Sequence, residues 1–215
     1  MVSYPKDVFS RMFAGTSSNN VAQDLLYPKD DEEKNVDIEE VDDALRTNIF
    51  NVMLGRRSQR KFDEARLVEE AKVEMIFAAA DTAPTAGGFQ GFEIFNVKKP
   101  EVKVKLVEAA NKQPYVSAPV VLVFCMNPDR VRMNFPHDIL RKFSLQDATL
   151  AAAYAQLAAH ALGLSTIWIG MIDETKVMAA LKTKYTPSSI LCIGYPQKIL
   201  QPKPKRSLVG LIHEI

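Results

Sequence analysis

SLQDATLAAAYAQLAAHALGLSTIWIG, residues 144–170, is the stretch on which the fold turns. From Ala148 to Ile172 the chain carries no Asp, Glu, Lys or Arg, and 25 uncharged residues are enough to cross a bilayer as a helix. The composition argues against that. Alanine dominates, Gln156 and His160 interrupt the run, and Gly163 cuts it before Leu164 to Ile169, whose β-branched and aromatic residues suit a strand. We read a helix buried inside a globular protein that runs into a core strand. Ser144, three residues before Asp147, has the form of a capping box and predicts the helix start there. His160 reads as a core histidine with a partner.

Outward from this stretch, helices and strands alternate. Upstream, Pro119 to Met126 is a continuous apolar run of strand length, and Phe92 to Val97 reads as another strand. Pro100 to Asn111 reads as a helix with proline in its first turn. The charged stretch Asn127 to Lys142 reads as a loop or short helix over the surface. Leu67 to Ala80 predicts a helix with Ala71, Met75, Ala78 and Ala79 inward and Glu69, Glu70 and Lys72 outward. The apolar positions Ile38, Val41, Leu45, Ile49 and Met53 predict an earlier amphipathic helix capped by Gly55. Downstream come a strand from Ser165 to Met171, a helix from Asp173 to about Lys182, and a strand from Ile190 to Tyr195. Residues 1–35 lack a sustained apolar period and read as an extension or arm; residues 36–215 form one layered α+β domain of helices on a sheet.

The 215 residues are 47% hydrophobic and 25% charged, ordinary values for a globular protein. A net charge of +1 supplies no global field for a nucleic-acid backbone or an anionic membrane, so any anion site is local. The N-terminus lacks the apolar core of a secretory signal. Cys125 and Cys192 sit in strand-like apolar runs, which predicts buried free thiols and a reducing, cytoplasmic setting. No phosphate-binding loop, dinucleotide fingerprint or serine-hydrolase elbow is present, and His137, His160 and His213 lack zinc-ligand spacing. If the chain is an enzyme, a bound cofactor supplies the reactive centre.

Two segments carry chemistry. Arg56-Arg57-Ser58-Gln59-Arg60 follows a helix, and guanidinium forks with a hydroxyl are the groups that hold a phosphate by charge-assisted hydrogen bonds. A second basic cluster, Lys203 to Arg206, lies far along the chain. The loop Pro84-Thr85-Ala86-Gly87-Gly88 lets backbone approach a flat ring, because glycine removes the side chain in the way.

In this order the motifs resemble the nitroreductase family. Arg56 to Phe62 is similar to the family's R-R-S-x-R-x-F, and Ala79 to Gln90 to its A-x-x-A-P-S-A-x-N-x-Q loop. Ala118-Pro119-Val120-Val121, Leu162 to Gly170, and Ile193-Gly194-Tyr195-Pro196 match its A-P-V-V, G-L-G-T-x-W-I-G and I-G-Y-P segments. The resemblance implies an α+β central sheet flanked by helices, an intertwined homodimer, and an FMN-dependent oxidoreductase. Such an enzyme passes hydride from NADH or NADPH to a nitroaromatic, quinone or enone by ping-pong turnover. It also implies that Arg56, Arg57, Ser58 and Arg60 hold the FMN phosphate and ribityl chain, with Lys205 and Arg206 closing from the C-terminal side. Pro84, Thr85, Ala86, Gly87 and Gly88 would line the isoalloxazine ring, and Ile169 and Gly170 would bring a backbone N–H to flavin N5. No side chain is assigned as catalytic, since FMN carries the chemistry. Phe135 and His137 are the candidate substrate contacts.

The pattern departs from the family at Gly88, where asparagine is usual, and at Gly91, where proline is. In the dimer the alanine-rich helix would pair with its symmetry mate, so that a charge at Ala155 would part the subunits. Two other readings stay open: a flavin-binding protein without turnover, and a cofactor-free interaction protein.

Overall fold

The computed structural model describes residues 43–198, Leu200, 210–213 and Ile215. Lys205 and Arg206, the whole 1–35 extension with its boundary to the domain, and Ile38 and Val41, expected in the first helix, lie outside the described residues. Five helices of more than one turn are described: α1 (Asp43–Gly55), α2 (Glu70–Asp81), α3 (Pro100–Ala109), α4 (His137–Ala161) and α5 (Glu174–Leu181). Four strands, β1 (Phe92–Asn96), β2 (Val120–Met126), β3 (Ser165–Ile169) and β4 (Pro187–Gly194), form one antiparallel sheet in the order β1-β2-β4-β3.

All seven residues of β2 are buried, because helices cover both sheet faces and alternation of polarity then disappears. Leu122 and Phe124 pack with Leu191 and Ile193 against α2 and α4. Val121, Val123 and Cys125 pack with Ile167, Ile190 and Cys192 against residues of α3 and α5. Burial pushes both thiols up to about 12, so they stay protonated and inert, as buried free cysteines should.

The quoted stretch folds as a helix and a strand. Ala148, Ala151, Ala152, Ala155 and Ala159 form a fully buried stripe on α4, and their small side chains let the helix lie close on the sheet. Gly163, at φ 78°, turns the chain, and the Leu164 N–H donates to the Ala159 carbonyl at 2.9 Å before β3 begins. No helix among the described residues is long and apolar enough to cross a membrane.

Four expectations need correction. α4 begins at His137 rather than Ser144, so Arg141 and Lys142 are helical and Ser144 and Asp147 lie in the helix interior, both buried. α2 buries Val73, Ile76 and Ala80, whereas Ala71 faces solvent: bulk, not alanine spacing, marks the inward face. Gly55 is the last residue of α1 and has no left-handed φ; a Cβ there would stand 3.0 Å from His160 Nε2, so close approach is what favours glycine. Ala155 is already buried in its own protomer, and the outer face of α4 is marked instead by exposed Leu150 and Tyr154.

Candidate functional site

Beyond α1 the chain runs extended beside β3. Ser58 forms a parallel bridge to Thr166, and the Gln59 N–H donates to the Thr166 carbonyl at 2.8 Å. The Arg56 N–H still closes the last turn of α1 on the Val52 carbonyl at 3.1 Å, and beyond it Arg57 and Gln59 line one cleft while Arg60 lines another. Arg56 and Ser58 are half-buried and Arg60 is exposed. Gln59 is 6% exposed, and its amide donates to the Lys198 carbonyl at 2.8 Å, which tethers the strip to the chain beyond β4. Arg57 and Gln59 line a cleft of about 200 Å³ with Gly55, His160, Ser165 and Leu200. His160 is thus half-buried at a cleft wall rather than enclosed in the core.

The strip continues to Phe62, which bridges Pro196, while the Asp63 N–H donates to the Tyr195 carbonyl at 2.8 Å. Tyr195 is buried beneath the Arg66 guanidinium, 3.3 Å from its ring centre, and its hydroxyl donates to Glu69 at 2.8 and 2.9 Å. Lys72 Nζ in turn donates to that hydroxyl at 2.6 Å. The Glu69 carboxyl is held below the usual carboxylate range by its own backbone N–H and then by the Tyr195 hydroxyl, with Lys72 and Arg66 adding to both. Ile169, 3% exposed, and Gly170, exposed, end β3 on this same sheet edge.

Pro84 to Gly91 lies at the opposite edge, leading into β1. Ala86–Gly88 is a single 3-10 turn, and Gly87 (φ 58°), Gly88 (φ 70°) and Gln90 (φ 50°) all take left-handed backbone. The left-handed φ favours glycine at position 87, where a Cβ would also come within 2.5 Å of Met133 Cε and 2.7 Å of the Phe89 ring; a Cβ on Gly88 would meet nothing within 4 Å. The loop is anchored from α4. Asp147, 2% exposed, accepts the Ala86 N–H at 2.9 Å and the Gly91 N–H at 3.0 Å, and the Ser144 hydroxyl donates to the Gly91 carbonyl. Proline at position 91 would lack the N–H that Asp147 takes, so glycine here is part of the clamp. Pro84, Thr85 and Ala86 line an open apolar face with Phe143, Gln146, Asp147 and Leu150.

The Asn127 to Lys142 stretch is half turn and half helix. It is pinned by Asn127, whose N–H donates to the Gly91 carbonyl at 2.9 Å and whose amide donates to Glu93 at 2.6 Å. Phe135 meets Phe143 edge to face at 5.9 Å, which places it beside the loop. His137 instead lines a separate cleft of about 200 Å³ at the β2 end, with Arg141, Lys184 and Asp129.

These residues fit a ligand with a phosphate at one end and a flat ring at the other. Guanidinium and hydroxyl donors sit on backbone tied to β3, and the 84–88 turn, Pro-Thr-Ala-Gly-Gly, offers only small side chains and exposed backbone. Within one chain the Pro84–Gly88 loop and Ile169–Gly170 lie at opposite sheet edges, three strand spacings or about 14 Å apart.

The profile of the nitroreductase family matches residues 53–119 and 115–195. The chain is 28% identical over 183 residues to an FMN reductase (NADPH) of Bacillus subtilis strain 168, covering 78% of this chain and 73% of that one. Its fold is similar to the NADPH:FMN oxidoreductase from Vibrio harveyi complexed with NAD+, at 26% identity and a TM-score of 0.72 over 78% of this chain and 76% of the other. It is also similar to the NfrA1 nitroreductase from B. subtilis, at 28% identity and a TM-score of 0.71 over 77% and 73% of the two chains. With its α+β sheet, its helices on both faces and this match, the chain belongs to the nitroreductase family.

Asp147, Ser144 and Gln59 were not legible as site residues in the sequence. Asp147 and Ser144 have the spacing of a cap, and only the fold brings the loop to them from more than fifty positions away in the chain.

Proposed function

We propose that this protein is a cytoplasmic FMN-dependent oxidoreductase that takes hydride from NADH or NADPH and delivers it to an electron-poor small molecule such as a nitroaromatic, quinone or enone. The observation that carries the reading is the Arg56–Arg60 strip bonded to β3 through Gln59 and Thr166, which puts phosphate-binding donors on the strand that ends at Ile169–Gly170. Thr166 to Gly170 spans about 13 Å of strand, of the order of FMN's length from phosphate to ring. Bound FMN supplies reversible hydride acceptance at N5.

The chain's own residues then bind and orient. Arg56, Ser58 and Arg60 take the phosphate and ribityl chain, with Lys205 and Arg206 adding charge from the C-terminal side, and Arg57 contributes from the cleft it lines with Gln59. The Gly170 N–H would offer a donor to N5, with Ile169 beside it at the end of β3. Pro84, Thr85, Ala86, Gly87 and Gly88 cover the ring, contributed by a second copy of the chain, since one chain holds these groups on opposite sheet edges. Residues 36–215 are the binding domain and residues 1–35 an appended arm. Phe135 borders the open face as an aromatic substrate contact. His137, in its separate cleft, reaches only the distal end of a long substrate. Donor and acceptor use the one open face in turn, because the chain carries no separate dinucleotide fingerprint.

Each charge-assisted phosphate contact is worth roughly 1.5 to 3 kcal/mol. Arg56→Ala is therefore expected to weaken FMN about tenfold or more while leaving riboflavin, which lacks the phosphate, nearly unaffected, as read by fluorescence titration. Equal losses would remove Arg56 from the phosphate. Anaerobic NADPH or NADH should bleach the flavin without acceptor, and a quinone should restore it; a requirement for acceptor before bleaching would exclude the shared face.

A further inference from the structure

A buried carboxylate normally needs a cation or several donors, because an unpaired charge out of water is strongly unfavourable. Asp147 is 2% exposed, and among the described residues no lysine or arginine forms an ion pair with it. Its two oxygens are taken instead by two backbone N–H groups, Ala86 at 2.9 Å and Gly91 at 3.0 Å. One helical turn earlier, Ser144 donates to the carbonyl of the same Gly91. The four residues between the two clamped N–H groups hold three left-handed backbone conformations, one of them on a non-glycine residue, Gln90. Such a sequence of unfavourable φ angles persists only where the surroundings over-determine it. The fit is tight: a Cβ on Gly91 would stand 3.0 Å from Asp147 Oδ2, 2.6 Å from Val131 Cγ2 and 3.4 Å from Ser144 Cα.

We propose that Asp147 is a positioning residue which, with Ser144, presets the Pro84–Gly91 loop in its ring-accepting conformation before any flavin arrives. The inference rests on the proposed function for what the loop receives, but not for the clamp itself. Preorganisation raises affinity by removing the ordering cost from the binding step. Asp147 also borders the same open face as Pro84, Thr85 and Ala86, so its side chain sits beside the surface that the ring would cover. The clamp couples α4 to the loop: movement of the α4 N-terminal half, which carries Phe143 and follows Phe135, is transmitted through Asp147 and Ser144 to Ala86 and Gly91.

The test is amide hydrogen exchange on the full-length protein stripped of flavin, followed by titration with FMN and with riboflavin. Asp147→Asn replaces one acceptor oxygen by a donor, and exchange at residues 84–91 is expected to rise at least tenfold while the α4 and β2 amides stay protected. Affinity for FMN and riboflavin should then fall by the same factor, unlike the phosphate-selective loss in Arg56→Ala. Ser144→Ala, which removes only the bond to the Gly91 carbonyl, should give a smaller local rise of about threefold and decides the matter if Asp147→Asn does not fold. Unchanged exchange at 84–91 in the variants, or a uniform rise across the whole domain, would overturn the proposal, the second by making the pair ordinary core residues. A faster loop with no change in affinity for either flavin would overturn it equally. If the wild-type protein takes up neither flavin, the proposed function fails and the exchange result alone decides the clamp.

Discussion

The two edges of the sheet solve recognition in opposite ways. At the β3 edge, extended backbone is held by a strand and presents long charged side chains, Arg56 and Arg60, with the Ser58 hydroxyl between them. At the β1 edge, side chains are pared away and the backbone is bent into left-handed turns held from behind by Asp147. The first edge suits a charge, whose field tolerates flexible partners. The second suits a plane, which tolerates nothing in its way. About 14 Å of sheet lies between them, and in the proposed dimer the two edges that meet one flavin come from different chains.

The strongest way to break this picture is to part the two chains. Leu150 and Tyr154 lie exposed on the outer face of α4, away from its alanine stripe. Leu150→Glu with Tyr154→Glu is expected to give a monomer that has lost FMN altogether, measured by sedimentation and flavin absorbance together; a monomer that keeps its flavin would place both edges' work in one chain. Next in size is the phosphate-selective loss in Arg56→Ala described above, which isolates the charged edge. Gly91→Ala probes the planar edge. Its Cβ would meet Val131 at 2.6 Å, an overpacking that should destabilise the fold by about 1–3 kcal/mol and weaken FMN and riboflavin alike.

Gly88→Asn should be nearly silent in stability, because nothing lies within 4 Å of the new Cβ and asparagine tolerates left-handed backbone. It should shift the potential of bound flavin by adding a side-chain hydrogen bond; an unaltered potential would show that position 88 does not face the ring. The smallest effect is expected at Glu69. Its folded value lies below the unfolded 4.5, so its stabilisation is fully present above that pH and fades as pH falls through the folded value. The difference in melting temperature between wild type and Glu69→Gln should therefore close on acidification, and a gap that widens would contradict the Tyr195 contact.

Strands were legible where apolar runs stood out, Val120 to Met126 in β2 and Ile190 to Ile193 in β4, although β4 begins three residues earlier, at Pro187, behind two serines. The two segments that make up the edges were legible too, from arginine and glycine spacing. The face of α2 was not, since alanines at helical spacing suit either side until Val73 and Ile76 claim the core. Nor was the start of α4. Arg141 and Lys142 look like a surface loop because they extend from the helix into solvent, and Ser144 and Asp147 look like its cap because their real partners, Ala86 and Gly91, are local only in space.

The strand order also sets a schedule for making the protein. β4 is the last of the described strands, yet it lies between β2 and β3 and supplies the only ladder β3 has among them. During synthesis β1 and β2 can pair early as a hairpin-like unit, while β3 emerges with its apolar face unmatched and must wait for residues 187–194. Sheet closure is therefore a late, long-range event, slow by topology and exposed to misassociation until β4 has inserted. A nascent chain halted before Pro187 carries an open β2 edge and an orphan strand, which makes the stretch between α5 and β4 the point at which this fold commits.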